Sequence, residues 1–165
     1  MKDFGAYFVP EGTSEVLTHY GPPNVARSRD GVVTLPAPVS GFRELRCNEK
    51  AQFGIQAFID WIDKYGLWHC IRFLGPCYDS AVEGVPPGPG MHAHGAALTF
   101  NLPFNPHGST PAKQMAPNIA KREEPGAIFF PSHPIVVEAK KRGFSWGGDN
   151  ELFPQPAEFR LGVFP

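Results

Sequence analysis

The sequence predicts a loop-rich α+β domain in which a small antiparallel sheet is flanked by helices. Three features carry that expectation. One segment has apolar residues at helical spacing, several strand-like runs are short and bounded by Pro or Gly, and the 19 Pro and 18 Gly concentrate in 9–38, 84–90, 102–117 and 153–165. Long regular elements have little room between these stretches.

Taken in order, residues 1–16 show no periodicity and read as an N-terminal arm, leaving 17–165 as a single domain. Gly31 to Leu35 is the first strand candidate. From Asn48 to Tyr65 the apolar residues Phe53, Ala57 with Phe58, Trp61 with Ile62, and Tyr65 recur at helical spacing, with Asn48 as N-cap and Gly66 as the C′ stop. Cys70 to Leu74, Ala96 to Leu102 and Gly126 to Phe130 follow as strand candidates. A second helix is expected from Pro134 to Arg142: Ser132 and His133 offer capping, Pro134 suits the first turn, and Gly143 closes it. Lys140 to Arg142 is then a solvated helix end favourable to the macrodipole. Glu158 to Val163 completes the strands.

Composition excludes several classes. With 165 residues, 42% hydrophobic and 13% aromatic, the chain suffices for one packed core. Fifteen Lys and Arg against 16 Asp and Glu give a formal net charge of -1 without a basic cluster, so nucleic acid is not an expected partner. Neither a signal-peptide h-region nor an apolar run long enough for a membrane span occurs, so cytoplasmic synthesis without membrane association is expected. Cys47, Cys70 and Cys77 form no Cys-Xaa-Xaa-Cys pair and read as buried free thiols.

The stretch from Gly90 to Asn101, GMHAHGAALTFN, resembles the Ser-Xaa-His-Xaa-Xaa-Gly-Xaa-Ala-Xaa-Asp-Xaa-Asn signature of zinc D-alanyl-D-alanine carboxypeptidases and L-alanyl-D-glutamate endopeptidases, the peptidoglycan peptidases that include many phage endolysins. His92 stands on the first ligand, Gly95 and Ala97 on small positions, Asn101 on the trailing Asn, and Thr99 where the family has a zinc-binding Asp. Tyr20 to Pro23, Val32 to Pro36, Cys47 to Lys50, Gly66 to Trp68, Gly75 to Asp79, Asn105 to Gly108, His133 to Val137 and Gly143 to Gly148 are similar to the family's segments in the same order, over roughly 17–162. The resemblance implies the D-Ala-D-Ala carboxypeptidase-like (hedgehog/DD-peptidase) fold.

It also implies lost chemistry. A catalytic zinc needs three protein ligands, an open position for water, and a base. The family's second motif, Asp-Pro-Xaa-His, aligns with Gln155 to Glu158, so Gln155 replaces the general base and Glu158 the ligand His. Gln cannot accept a proton, which alone costs about two to four orders of magnitude in rate. His92 and Glu158 are then the remaining ligands, and two do not make a zinc site. The implied substrate groove, at Tyr78, Ala81, Gly90 and Trp146, has changed as well: Ala81 stands where the family has a carboxylate-binding Arg, and Gly90 where it has Ser. Trp146 and its glycines also have a purely structural explanation, core packing and unusual φ.

No catalytic residue and no cofactor are therefore expected. His92 reads as a hydrogen-bonded core residue, and His69, His107 and His133 as loop or capping residues at the surface. Should metal be bound, His92, His94 and Glu158 are the candidates, His94 because i and i+2 share a face on a strand. The expected function is a pseudoenzyme, an inactive peptidase-like domain serving as a structural or interaction module among the subunits of a bacteriophage virion, tail or phage-like particle. Two alternatives stay open: a zinc-dependent peptidoglycan peptidase with a rebuilt site, and a non-catalytic peptidoglycan-binding module.

Overall fold

A computed structural model describes residues 14–21, 31–77, 91–108, 126–127, 129–152 and 154–162. It is an α+β arrangement with two small antiparallel sheets. Helix α1 (Ser14–Tyr20) leads into the hairpin-like pair β1 (Val32–Leu35) and β2 (Leu45–Asn48), followed by α2 (Gln52–Lys64). After 3-10 turns at Leu67–Cys70 and Met91–His94 come β3 (Ala97–Thr99), α3 (Pro134–Lys141), β4 (Phe144–Trp146), a 3-10 turn at Gly147–Asp149, and β5 (Glu158–Leu161). The boundary expected between residues 16 and 17 falls inside α1, whose Tyr20 is buried and donates its hydroxyl to the Gly162 carbonyl at 2.8 Å.

The second sheet runs β3-β5-β4, all antiparallel, with Leu98 opposite Phe159 and Trp146 opposite Phe159. Alternation along each strand sorts the residues onto two faces. Leu98, Phe159, Leu161, Phe144 and Trp146 share the core face, and all are buried. Thr99, Glu158, Arg160 and Ser145 share the other.

Helix α2 lies over this core with Ile55, Phe58, Ile59 and Ile62 buried. The expected apolar stripe is thus displaced: Phe53 is 86% exposed and Tyr65 59% exposed. The helix is apolar around much of its circumference, and the seated face is the one beside Gly54, where a Cβ would lie 2.8 Å from Leu161. Asn48 does not cap the helix. It ends β2, where its side chain accepts from Lys50 N and donates to the Tyr20 carbonyl, while Ala51 is the N-cap residue. Gly66, at φ 64°, ends the helix as expected.

Among the described residues, two of the five expected strands are absent. Cys70 to Leu74 is a 3-10 turn and extended chain joined to the sheet by one bridge, Leu74 to Phe100. The described part of Gly126 to Phe130 carries no ladder and is held by side chains instead. Asn101, fully buried at φ 55°, is the centre of that arrangement. Its Oδ1 accepts from Arg72 N and Phe73 N, and its Nδ2 donates to the carbonyls of Cys70 and Ala127. Asn105 extends it, donating to the carbonyls of Asn101 and Ala127 and accepting from Phe129 N.

Helix α3 is capped by His133, which is buried and not a surface residue as expected. Its Nδ1 accepts from Ile135 N at 3.2 Å and its Nε2–H donates to the Gly126 carbonyl at 3.0 Å, so the cap requires the neutral ring. Burial lowers its pKa from the ordinary 6.5, with the Gly126 bond acting in the opposite direction. For a depressed histidine the stabilising contribution is present above the unfolded value and is lost as pH falls through the folded one. Thermal stability is therefore expected to fall below about pH 6.5, and His133→Asn, a cap that does not titrate, to flatten that part of the profile. A wild-type Tm unchanged between about pH 7 and 5.5 would contradict this role. Cys47, Cys70 and Cys77 are free and buried, and burial raises all three thiol pKa values, that of Cys47 to about 11.

Candidate functional site

Four side chains from separate parts of the chain meet on the sheet face opposite the core. Register supplies the first two, since Thr99 on β3 stands directly across from Glu158 on β5. The turn Met91–His94 supplies the third. It closes through Gly95 N to His92 O and Ala96 N to Met91 O, with Gly95 at φ 66°, a conformation suited to glycine. His92 thereby reaches Glu158, Nε2 to Oε2, at 2.6 Å. The turn ending at Gly108 is tied to the last segment by Gly108 N to Pro154 O, and it brings His107 Nε2 to 3.2 Å from Glu158 Oε1.

The donors and acceptors can be assigned from chemistry. Glu158 Oε1 accepts the Thr99 hydroxyl at 3.1 Å, and the Thr99 oxygen lies 3.0 Å from His92 Nε2. His92 Nδ1 faces the Cys77 carbonyl at 3.1 Å. A carbonyl only accepts, so Nδ1 carries hydrogen; Nε2 faces a carboxylate and a hydroxyl whose own proton is directed to Glu158, so Nε2 carries hydrogen too. His92 is held as an imidazolium beside an ionised Glu158. Burial pushes the Glu158 carboxyl up, but hydrogen bonds from His107 and His92 and their charge outweigh it and hold the pKa at about 2.

Where the resemblance expects a carboxylate ligand, this donor set offers the neutral Thr99 hydroxyl, a poor zinc ligand. Both His92 nitrogens are committed as donors, both Glu158 oxygens accept, and Thr99 is a neutral hydroxyl. Among the described residues no three His, Cys, Asp or Glu side chains are placed to hold a metal ion. Nor is Thr99 activated as a nucleophile, because the imidazole beside it has no lone pair to receive the proton.

Gln155 is tied directly to the cluster's strand: its backbone carbonyl accepts from Glu158 N at 2.9 Å, and its side-chain oxygen accepts from Arg160 Nη2. Gly147 is held against its backbone, where a Cβ would fall 2.4 Å from the Gln155 carbonyl oxygen. His94 does not join His92. Both sit on a 3-10 turn rather than a strand, so residues two apart diverge, and His94 is fully buried with Nδ1 3.0 Å from the Gly21 carbonyl. His107, expected to be a surface bystander, takes the place in the cluster that His94 was expected to have; its sequence context of Pro and Gly gave no sign of this.

Trp146, named as a groove position and also explicable by core packing, is buried in the core. It is 2% exposed, donates Nε1–H to the Pro156 carbonyl at 2.8 Å, and has Lys140 Nζ 5.5 Å from a ring centroid. Gly148 packs on that ring, where a Cβ would be 2.3 Å from its carbons. The other expected groove positions, Tyr78, Ala81 and Gly90, lie outside the described residues.

The chain matches no known family, no characterised protein and no solved structure. Among the described residues no helix is long and apolar enough to cross a membrane.

Proposed function

We propose that the chain is a catalytically inactive peptidase-like domain with the D-Ala-D-Ala carboxypeptidase type of fold, retained as a structural or interaction module of a phage virion, tail or phage-like particle. One observation carries the inactive half of this proposal. His92, Thr99 and Glu158, brought from the Met91–His94 turn, β3 and β5, meet at one point as metal ligands would, and there they hydrogen-bond to one another. The position expected to hold the general base supports it as well, since Gln155 has no group that could take a proton and its side-chain oxygen accepts from Arg160. The particle setting follows from the resemblance alone, and the partners would be other protein subunits.

Reversion tests the proposal. Thr99→Asp with Glu158→His would restore a His, Asp and His set around the same point. About one zinc per chain is expected in that variant by elemental analysis, and no zinc in the wild type beyond a His92→Ala background. Purified sacculi incubated with wild-type protein should release no peptides. Zinc bound by the wild type and lost in His92→Ala would overturn the inactive assignment in favour of a peptidase with a rebuilt site. Retention on sacculi without cleavage would instead favour a peptidoglycan-binding module.

A further inference from the structure

We propose that the Glu158 carboxylate has taken over the structural position of a central ion, so that the cluster is a metal-independent tie holding four segments of the chain together through an anion. The geometry has the polarity opposite to that of a metal centre. Around a cation, protein lone pairs point inward; around Glu158, protein hydrogens do. His92 Nε2–H, the Thr99 hydroxyl and His107 Nε2–H all converge on its two oxygens. Each donor comes from a different element: the turn Met91–His94, strand β3, and the turn that ends at Gly108.

The burial gradient fits a structural tie. The carboxylate side chain is 8% exposed and that of His92 14%, whereas that of His107 is 38% exposed at the outer edge. An unpaired carboxylate at that depth would be costly, and three charge-assisted bonds offset the cost. His92 reaches further, its Nδ1–H fixing the Cys77 carbonyl, so one imidazolium links the carboxylate on β5 to the chain that precedes the turn. Across the sheet the ladder between β3 and β5 spans three residue pairs, and the tie reinforces it at its Thr99 and Glu158 end.

The inference rests on the proposed function only in regarding this point as the place of a former metal; the tie stands or falls by itself. Its test is thermal unfolding of the wild type, His107→Ala, Glu158→Gln and the double variant, each with EDTA and with added zinc chloride. Glu158→Gln is expected to lower Tm by about 4–8 °C, and His107→Ala by less. In the double variant His107→Ala should cost almost nothing further, because its acceptor has lost its charge. EDTA and zinc should leave the wild-type Tm unchanged. Additive losses in the double variant would show that the carboxylate is no hub, and a wild-type Tm raised by zinc or lowered by EDTA would show that a cation is. Should Glu158→Gln not fold, Thr99→Val and His107→Ala give the same cycle on partly independent arms. A domain that fails to gain zinc on reversion but passes this cycle would lose its proposed ancestry and keep its tie.

Discussion

Replacing Asn101 with Ala is expected to destabilise the domain by about 3–5 kcal/mol, enough to leave much of the protein unfolded near physiological temperature. Two costs add. The amide loses its four bonds, to Arg72 N, Phe73 N, Cys70 O and Ala127 O, in a position with no exposed surface, and the Cys70 and Ala127 carbonyls are left buried. The residue also sits at φ 55°, where Asn is tolerated and Ala costs about 1 kcal/mol. Asn101→Gly separates the two, since it relieves the backbone but restores no bond. Chemical denaturation of both variants should place Gly between wild type and Ala. Equal stability of Asn101→Ala and wild type would mean that the extended chain around Phe73 is held by something other than this amide.

The second large effect is expected at Phe159. Its ring stands among Phe58, Phe100 and Phe129, with centroid separations of 6.2, 5.4 and 5.4 Å, and it has no exposed surface. Phe159→Ala should cost about 3–5 kcal/mol, because the surrounding rings are fixed by α2, by the Phe100 N bond to the Ala157 carbonyl and by the Phe129 N bond to Asn105, and cannot collapse into the cavity. Phe159→Leu keeps most of the volume and should cost much less. Its neighbour Glu158 adds a local readout. If β5 moves when the ring is removed, the hydrogen-bonded imidazole protons of His92 should broaden in the NMR spectrum even in the fraction that stays folded. Sharp, unshifted signals would mean that the core and site faces of the sheet respond separately.

How legible was this structure in the sequence? Its α+β class, the two longer described helices and the strands at Val32–Leu35 and Glu158–Leu161 follow from periodicity and from Gly and Pro punctuation. Strand β2, as long as β1, escaped because it carries Arg46 and ends on Asn48, which read as a helix cap; β4 has only three residues and lies beside Gly143, Gly147 and Gly148. The seated face of α2 escaped because apolar residues lie on several sides, and the space beside Gly54 decides among them. Within the site, the convergence of His92 with Thr99 and Glu158 was foreshadowed by motif order. The role of His107 was not, since it depends on Gly108 bonding Pro154, a long-range contact between two irregular segments. The glycines at 147 and 148, expected on the structural explanation to take unusual φ, are instead crowded against Gln155 and the Trp146 ring.

The order β3-β5-β4 places in the middle of the sheet the strand that is synthesised last of the three. Until Glu158–Leu161 has left the ribosome, β3 and β4 have no partner between them, Phe58, Phe100 and Phe129 lack the Phe159 ring that packs against all three, and Tyr20 lacks the Gly162 carbonyl that anchors α1. Nascent chains stopped short of that strand would display apolar edges and two unsatisfied strand borders, the surfaces that chaperones and proteases act on. Folding of this domain is consequently expected to wait for that strand, and a truncated product is expected to be cleared rather than accumulate as a stable fragment.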